Sequence, residues 1–258
     1  MTVPGHPEAP PADRPTWPRF RAAGDSGLIV EFGDQLDQRI NNAALAFDRR
    51  LAAAKIAGIS ETAPTLRSVL VRFDPLTLAP AELRRRLQDL LAEADWLAAG
   101  PPEGRSLWRV PLLYGGEAGP DLAEIAERLE VRAEALVAEH AACRQRVMML
   151  GFAPGFAYLG ELPERWDLPR LPKVKPSVPP GSLSVAVRQS VLCATTIPTG
   201  WRTIARSPFR SFDLSRDPPF QLEPGDEVAF EPVDQAAYDR LQAKAEAGGQ
   251  VASREQLT

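Results

Sequence analysis

The chain has 258 residues, 44% hydrophobic and 25% charged, the make-up of a globular protein with one large domain or two small ones. Thirty Lys and Arg against 34 Asp and Glu give a net charge of −4, which argues against a general nucleic-acid binder. No apolar run reaches the roughly 20 residues that span a bilayer, and two histidines and two cysteines without CxxC or CxxH spacing argue against a structural zinc site.

The opening MTVPGHPEAPPADRPTWPRF has no basic segment followed by an apolar one, so it does not read as a secretory signal. Residues 1–19 read instead as a disordered, proline-rich leader, with order from Phe20 and the cytoplasm as the expected location. Residues 28–32 form a short apolar strand. Leu36, Ile40, Ala44, Phe47 and Leu51 then recur at helical spacing, and Gly58 reads as the stop. Strands are expected over 59–63 and 68–73, the second alternating with Val69, Val71 and Phe73 on one face. Pro80 opens a helix that continues through Leu83, Leu87, Leu90, Leu91 and Ala94. The order β, α, β, β, α suggests a small ferredoxin-like domain over 20–100. A strand at 108–113 either completes it or opens the next domain, beyond a linker at 98–104. The run Arg84, Arg85, Arg86 reads as a solvated helix face.

Asp121 reads as the cap of a helix through Leu122, Ile125, Ala126 and Leu129, and a second helix carries Leu136 and Val137 to His140. A lone histidine at a helix end is commonly structural, a cap or a charge near the dipole. Next, an apolar strand at 147–150 empties into LGFAPGFAYLGEL at 150–162. Glycine serves where the backbone must turn with positive φ or approach closely, and proline fixes φ, so this loop has a specified shape. Phe152, Phe156 and Tyr158 make it either a buried structural turn or the rigid wall of a pocket. Residues 169–180 are proline-rich and carry Arg170, Lys173 and Lys175. Strands at 183–187, 191–195 and 203–205 follow, with turns at 188–190 and 198–201, and the last delivers Arg206. After a turn at 224–226 comes a strand at 228–230, and a polar helix at 235–247 ends the pattern. Short strands punctuated by Gly and Pro read as a β-barrel or sandwich over 105–234, followed by a helix and tail at 235–258.

Several motifs stand in register with a known family: GDSGLIVEFGD at 24–34, LVRFDPL at 70–76, GFAPGFAYLGEL at 151–162, PR at 169–170, VPPGS at 178–182, PTGW at 198–201, and FDLSRDPP with LEPGDEVAFEPV near the end. The chain resembles the family known as the 5-oxoprolinase B subunit, as allophanate hydrolase subunit 1 or as the sporulation-kinase inhibitor, also described as carboxyltransferase domain, subdomain C and D. The resemblance implies an α+β protein, with a small α/β N-terminal domain joined to a cyclophilin-like β-barrel. It also implies assembly with two further 5-oxoprolinase components, the C subunit, of a related barrel fold, and the A subunit. The implied reaction is ATP-dependent opening of 5-oxo-L-proline to L-glutamate, with ATP and Mg used at the level of the complex and no cofactor evident in this chain. Two other activities occur in the family: inhibition of a histidine kinase through its dimerisation helices, and a carboxyltransferase role in urea metabolism. This chain lacks a biotin-acceptor AMKM sequence, so it would be the receiving half of a carboxyltransferase.

The matching positions supply the candidate site. His140, Arg170 and Arg206 are the expected catalytic groups: the arginines to hold a carboxylate or phosphate, His140 to carry a proton. The plain alternative for each arginine is a surface or interdomain ion pair. Gly151, Phe152, Pro154, Gly155, Phe156, Tyr158, Leu159, Gly181, Ser182, Gln189, Pro198, Gly200 and Trp201 are the expected substrate-binding residues, with Tyr158 and Gln189 to orient a carbonyl. No metal ligand is expected, and no GxxxxGK[ST] phosphate loop is present. The chain departs from the family at Val191 (glycine), Cys193 and Ala194 (tyrosine and proline), Thr199 (glycine) and Gln145 (tyrosine). Val191, Cys193 and Ala194 are expected to border the pocket.

Overall fold

The computed structural model describes residues 16–257, so most of the expected leader lies outside the described residues. Strands β1 (Arg19–Ala22), β2 (Gly27–Glu31), β3 (Ile59–Pro64) and β4 (Ser68–Phe73) form an antiparallel sheet in the order β1-β2-β4-β3. Helices α1 (Gln38–Ala54) and α2 (Pro80–Leu91) supply the residues that bury its inner face. Val69, Val71 and Phe73 meet Ala44, Phe47 and Leu51 of α1 and Leu83 and Leu87 of α2 in one core. Each fully buried side chain of this size contributes about 1.5–3 kcal/mol.

The fourth place in this sheet belongs to β1, which was not expected. Its four residues are only half covered and reveal themselves through pairing with β2 as a hairpin edge. Helix α1 starts where the Asp37 carboxylate accepts the N–H groups of Arg39 and Ile40 at 2.6 and 3.3 Å. It stops at Lys55, which is left-handed at φ 47°, ahead of the expected Gly58.

The strand whose membership was open, β5 (Ser106–Tyr114), belongs to a second sheet. That sheet also contains β6 (Gln145–Leu150), β7 (Ala157–Gly160), β9 (Ser182–Ala186), β10 (Gln189–Leu192), β12 (Arg202–Arg206) and β13 (Glu227–Pro232). Their order β12-β9-β10-β7-β6-β13-β5, with β5 pairing back to β12, closes a seven-stranded barrel. An unexpected strand, β14 (Ser253–Gln256), lies along the first half of β5, and its polar SREQ sequence gives no apolar signal. Helices α3 (Leu122–Arg128) and α4 (Ala133–Ala142) and the barrel interior share one core that includes Leu112, Leu136, Val147, Leu159 and Val185. A two-stranded ribbon, β8 (Lys175–Val178) with β11 (Ile197–Thr199), stands apart from the barrel sheet, and α5 (Gln235–Glu246) precedes β14.

Three local expectations change. The 150–162 stretch is not all loop, because β7 lies within it. The turn between β9 and β10 falls at Val187 and Arg188, left-handed at φ 45° and 62°, two residues before the Ser190 end of the expected turn. Neither residue is a glycine or asparagine, so the usual hairpin signal was missing. Asp121 does not cap α3: its carboxylate accepts the Thr203 N–H at 2.5 Å and pairs with Lys175.

The two sheets are tied through α1. Asn41 donates its amide to the Met148 carbonyl at 2.9 Å and to the Thr65 and Leu66 carbonyls at 3.3 and 3.2 Å. Arg146 donates to Asn42 Oδ1 at 2.6 Å.

Candidate functional site

Alternation along β7, β9 and β10 sends Ala157, Leu159, Leu183, Val185 and Leu192 into the barrel and leaves Phe156, Tyr158, Ala186 and Val191 on its outer face. There they join Cys193, Val178 of β8, Ile197 of β11 and Trp201 in a separate apolar cluster. The ribbon thus packs over the barrel wall and leaves a cleft of about 300 Å³ between them. Phe152, Phe156, Tyr158, Arg170, Pro198, Gly200 and Trp201 line it, as do Val174, Ile197 and Thr199.

The aromatic wall is continuous. Ring centroids step from Phe152 to Phe156 (5.6 Å), to Tyr158 (5.1 Å) and to Trp201 (6.0 Å), each pair edge-on. Phe152 sits at the lip, 68% exposed and left-handed at φ 72°. The exposed Arg170 guanidinium lies 5.8 Å from the centre of the Trp201 ring. No lining residue carries a carboxylate, so the cleft favours a negatively charged ligand. Burial raises the Tyr158 phenol above its ordinary pKa, which keeps the hydroxyl protonated and able to donate.

The cleft is braced from behind. The Leu171 N–H donates to the Gly200 carbonyl at 2.6 Å, and Thr199 Oγ1 accepts the Trp201 N–H at 3.1 Å. Arg202 donates to the Pro169 carbonyl at 2.7 Å and grips Glu124 at 2.8 and 3.2 Å, which holds the Glu124 carboxyl below its ordinary pKa. On the other side, Ser211 donates to the Gly155 carbonyl at 2.8 Å.

The remaining expected site residues lie elsewhere. His140 is fully buried and is a correction to the sequence reading. Its Nδ1 meets Tyr114 Oη at 2.8 Å, its Nε2 meets Ser190 Oγ and Gln145 Nε2 at 3.1 Å each, and its ring stacks on Phe230. Burial lowers its pKa to about 3, so it is a neutral core group at pH 7 and not a proton carrier at the cleft. Arg206 is also outside the cleft, donating from Nε to the Pro180 carbonyl at 3.3 Å. Leu159 points into the barrel core, and Ser182 and Gln189 are buried in strands β9 and β10. Gly151, Pro154 and Gly155 shape the β6–β7 turn, and Gly181 shapes the entry to β9.

Sequence reasoning missed Val174 and Ile197 as lining residues; Ile197 directly precedes the PTGW turn, which was its available signal. Thr199, noted as a departure, lines the cleft. Val191 and Cys193 sit one layer beneath, buried in the apolar cluster that supports it, and burial pushes the Cys193 thiol up to about 12. Ala194 is buried beside them in sequence and does not line the cleft.

The family model described as carboxyltransferase domain, subdomain C and D, matches residues 18–222. The chain belongs to that family. The 5-oxoprolinase B subunit of Bacillus subtilis (strain 168) is 31% identical over 225 residues, 83% of this chain and 92% of that protein. The protein of the same name from Escherichia coli O157:H7 is 35% identical over 210 residues, 81% of this chain and 93% of that one. The crystal structure of TTHA0988 superposes with a TM-score of 0.70 at 32% identity, covering 81% of this chain and 40% of that longer one. Kluyveromyces lactis urea carboxylase gives a TM-score of 0.77 at 17% identity over 92% of this chain and 24% of its own, a likeness of fold. Among the described residues no helix is long and apolar enough to cross a membrane.

Proposed function

We propose that this chain is one component of an ATP-dependent amide-ring hydrolase that opens 5-oxo-L-proline to L-glutamate in the cytoplasm, together with the A and C subunits of that enzyme. The observation that carries the reading is the cleft itself, a rigid aromatic wall with one cationic group, Arg170, above Trp201 and no carboxylate. A compact ring bearing a carboxylate matches it: the ring lies against the exposed Phe152 and half-buried Tyr158, and the carboxylate meets Arg170. Tyr158, whose hydroxyl stays protonated, lines the same cleft and in this reading donates to the lactam carbonyl. The names of the relatives support the same substrate class.

Ring opening adds water across the C–N bond: hydroxyl goes to the carbonyl carbon, and hydrogen goes to the nitrogen, which becomes the amine of glutamate. The residues lining the cleft do not fit Mg–ATP. The cleft offers no carboxylate, the sequence has no phosphate loop, and among the described residues no group of three or more His, Cys, Asp or Glu is placed to hold a metal ion. In this reading nucleotide belongs to the assembled complex. The test is ATP hydrolysis by the chain co-expressed with its partner subunits, with and without 5-oxo-L-proline. Lactam-dependent turnover that yields glutamate is expected, and an assembled complex with no lactam-dependent turnover overturns the assignment.

A further inference from the structure

Gly155, Gly181 and Gly200 all belong to motifs around the cleft, and backbone geometry separates them. Gly155 is left-handed at φ +68°, and a Cβ there would lie 2.3 Å from Phe212 Cβ. Gly181 is left-handed at φ +80°, and its Cβ would lie 2.0 Å from the Ser207 carbonyl oxygen. The fold demands glycine at both positions. Gly200 differs, because its φ lies outside the left-handed region and the nearest atom to an added Cβ is the Leu171 carbonyl oxygen at 4.0 Å. That is ordinary contact.

Position 200 is nevertheless well held. Its carbonyl accepts the Leu171 N–H, and the following N–H is fixed by Thr199. In such a turn alanine would be the more stabilising residue, since glycine has more freedom to lose on folding. The fold gives no reason for glycine at 200, but the position does line the cleft, between Thr199 and Trp201.

We propose that the missing side chain at 200 is a specificity element of the cleft. It leaves the cleft wall between Thr199 and Trp201 open, so that a compact ring sits there with its carboxylate against Arg170. The selected ligand is a small anionic ring with no substituent on the edge that passes position 200. This inference rests on the lactam reading above and adds to it the residue that sets the size of the ring.

The test compares the full chain, alone and within the assembled complex, as wild type, Gly200→Ala and Gly200→Val. Each is titrated with 5-oxo-L-proline by calorimetry or ligand-observed NMR, and its thermal unfolding midpoint is recorded. The expected result is an unchanged or slightly raised midpoint for Gly200→Ala, and affinity that falls with side-chain size, by roughly tenfold or more for Gly200→Val. Wild-type affinity in a folded Gly200→Val protein overturns the inference and leaves the lactam reading intact. A midpoint loss in Gly200→Ala as large as that of Gly181→Ala also overturns it, by showing that the fold requires this glycine. Absence of lactam binding by the wild-type protein in both settings overturns the lactam reading and the inference with it.

Discussion

On the inner face of the wall formed by β7 and β10, Leu159 enters the barrel core and Ser190 meets His140 inside a sealed polar network. On the outer face, one residue away along each strand, Tyr158 and Val191 support an open cleft walled by aromatic rings. The inner histidine is held neutral by burial, whereas the outer arginine is exposed above an indole. The same short strands therefore face a packed core on one side and the cleft, proposed above to read the ligand, on the other, and period-two alternation decides which residue faces which.

The sharpest way to break this division is His140→Leu. Its ring satisfies Tyr114, Ser190 and Gln145, so removal leaves several buried polar groups unpaired, and a loss of about 3 kcal/mol or more in denaturant unfolding is expected. The pH dependence sharpens the same point. The folded imidazole titrates near 3 and the unfolded one near 6.5, so between these values the unfolded chain takes up a proton that the folded chain refuses. This contribution to stability is therefore complete above pH 6.5 and declines as the pH falls toward 3, at up to about 1.4 kcal/mol per pH unit. The leucine variant should lose that component of the slope. A His140→Leu protein of wild-type stability that had lost only turnover would place His140 with the cleft instead.

Asn41→Ala comes next. It removes the amide shared by the Met148, Thr65 and Leu66 carbonyls at the joint between the sheets, and about 1–3 kcal/mol should be lost in the same unfolding measurement. Lactam affinity measured on the folded variant should hold. The smallest stability effect belongs to Arg170→Gln: a midpoint shift within about 0.5 kcal/mol, with lactam affinity reduced roughly tenfold. An equal loss of stability and affinity would mean that Arg170 braces the ribbon and does not read the ligand.

Much of the architecture was legible because burial imposes period. The spacing of Ala44, Phe47 and Leu51 marked α1, and the alternation of Val69, Val71 and Phe73 marked β4. Strands β1 and β14 were not legible, since RFRA and SREQ are short, largely exposed edges defined by their partners. The glycine and proline turns pointed to the aromatic residues and Arg170, which line one cleft. His140 came from the family resemblance, which does not say which side of a barrel wall a residue occupies. Its burial inside the wall agrees with the structural role common for a lone histidine at a helix end. Val191 and Cys193 were expected to border the pocket; they lie on the cleft's side of the wall, in the buried apolar layer beneath its lining residues.

Strand β5 has three neighbours in its sheet, β12, β13 and β14, and all of them follow it in the chain. During synthesis the N-terminal sheet and its helices can be complete once Ala98 has emerged, while the apolar SLWRVPLLY must wait for Pro232 before its parallel partner exists. Until then the stretch Leu107–Leu112 has no parallel partner, an open edge of the kind that favours association. A shortened version ending at residue 222, where the family match stops, would lack both β13 and β14 and leave β5 paired only with β12, at Leu113 and Tyr114.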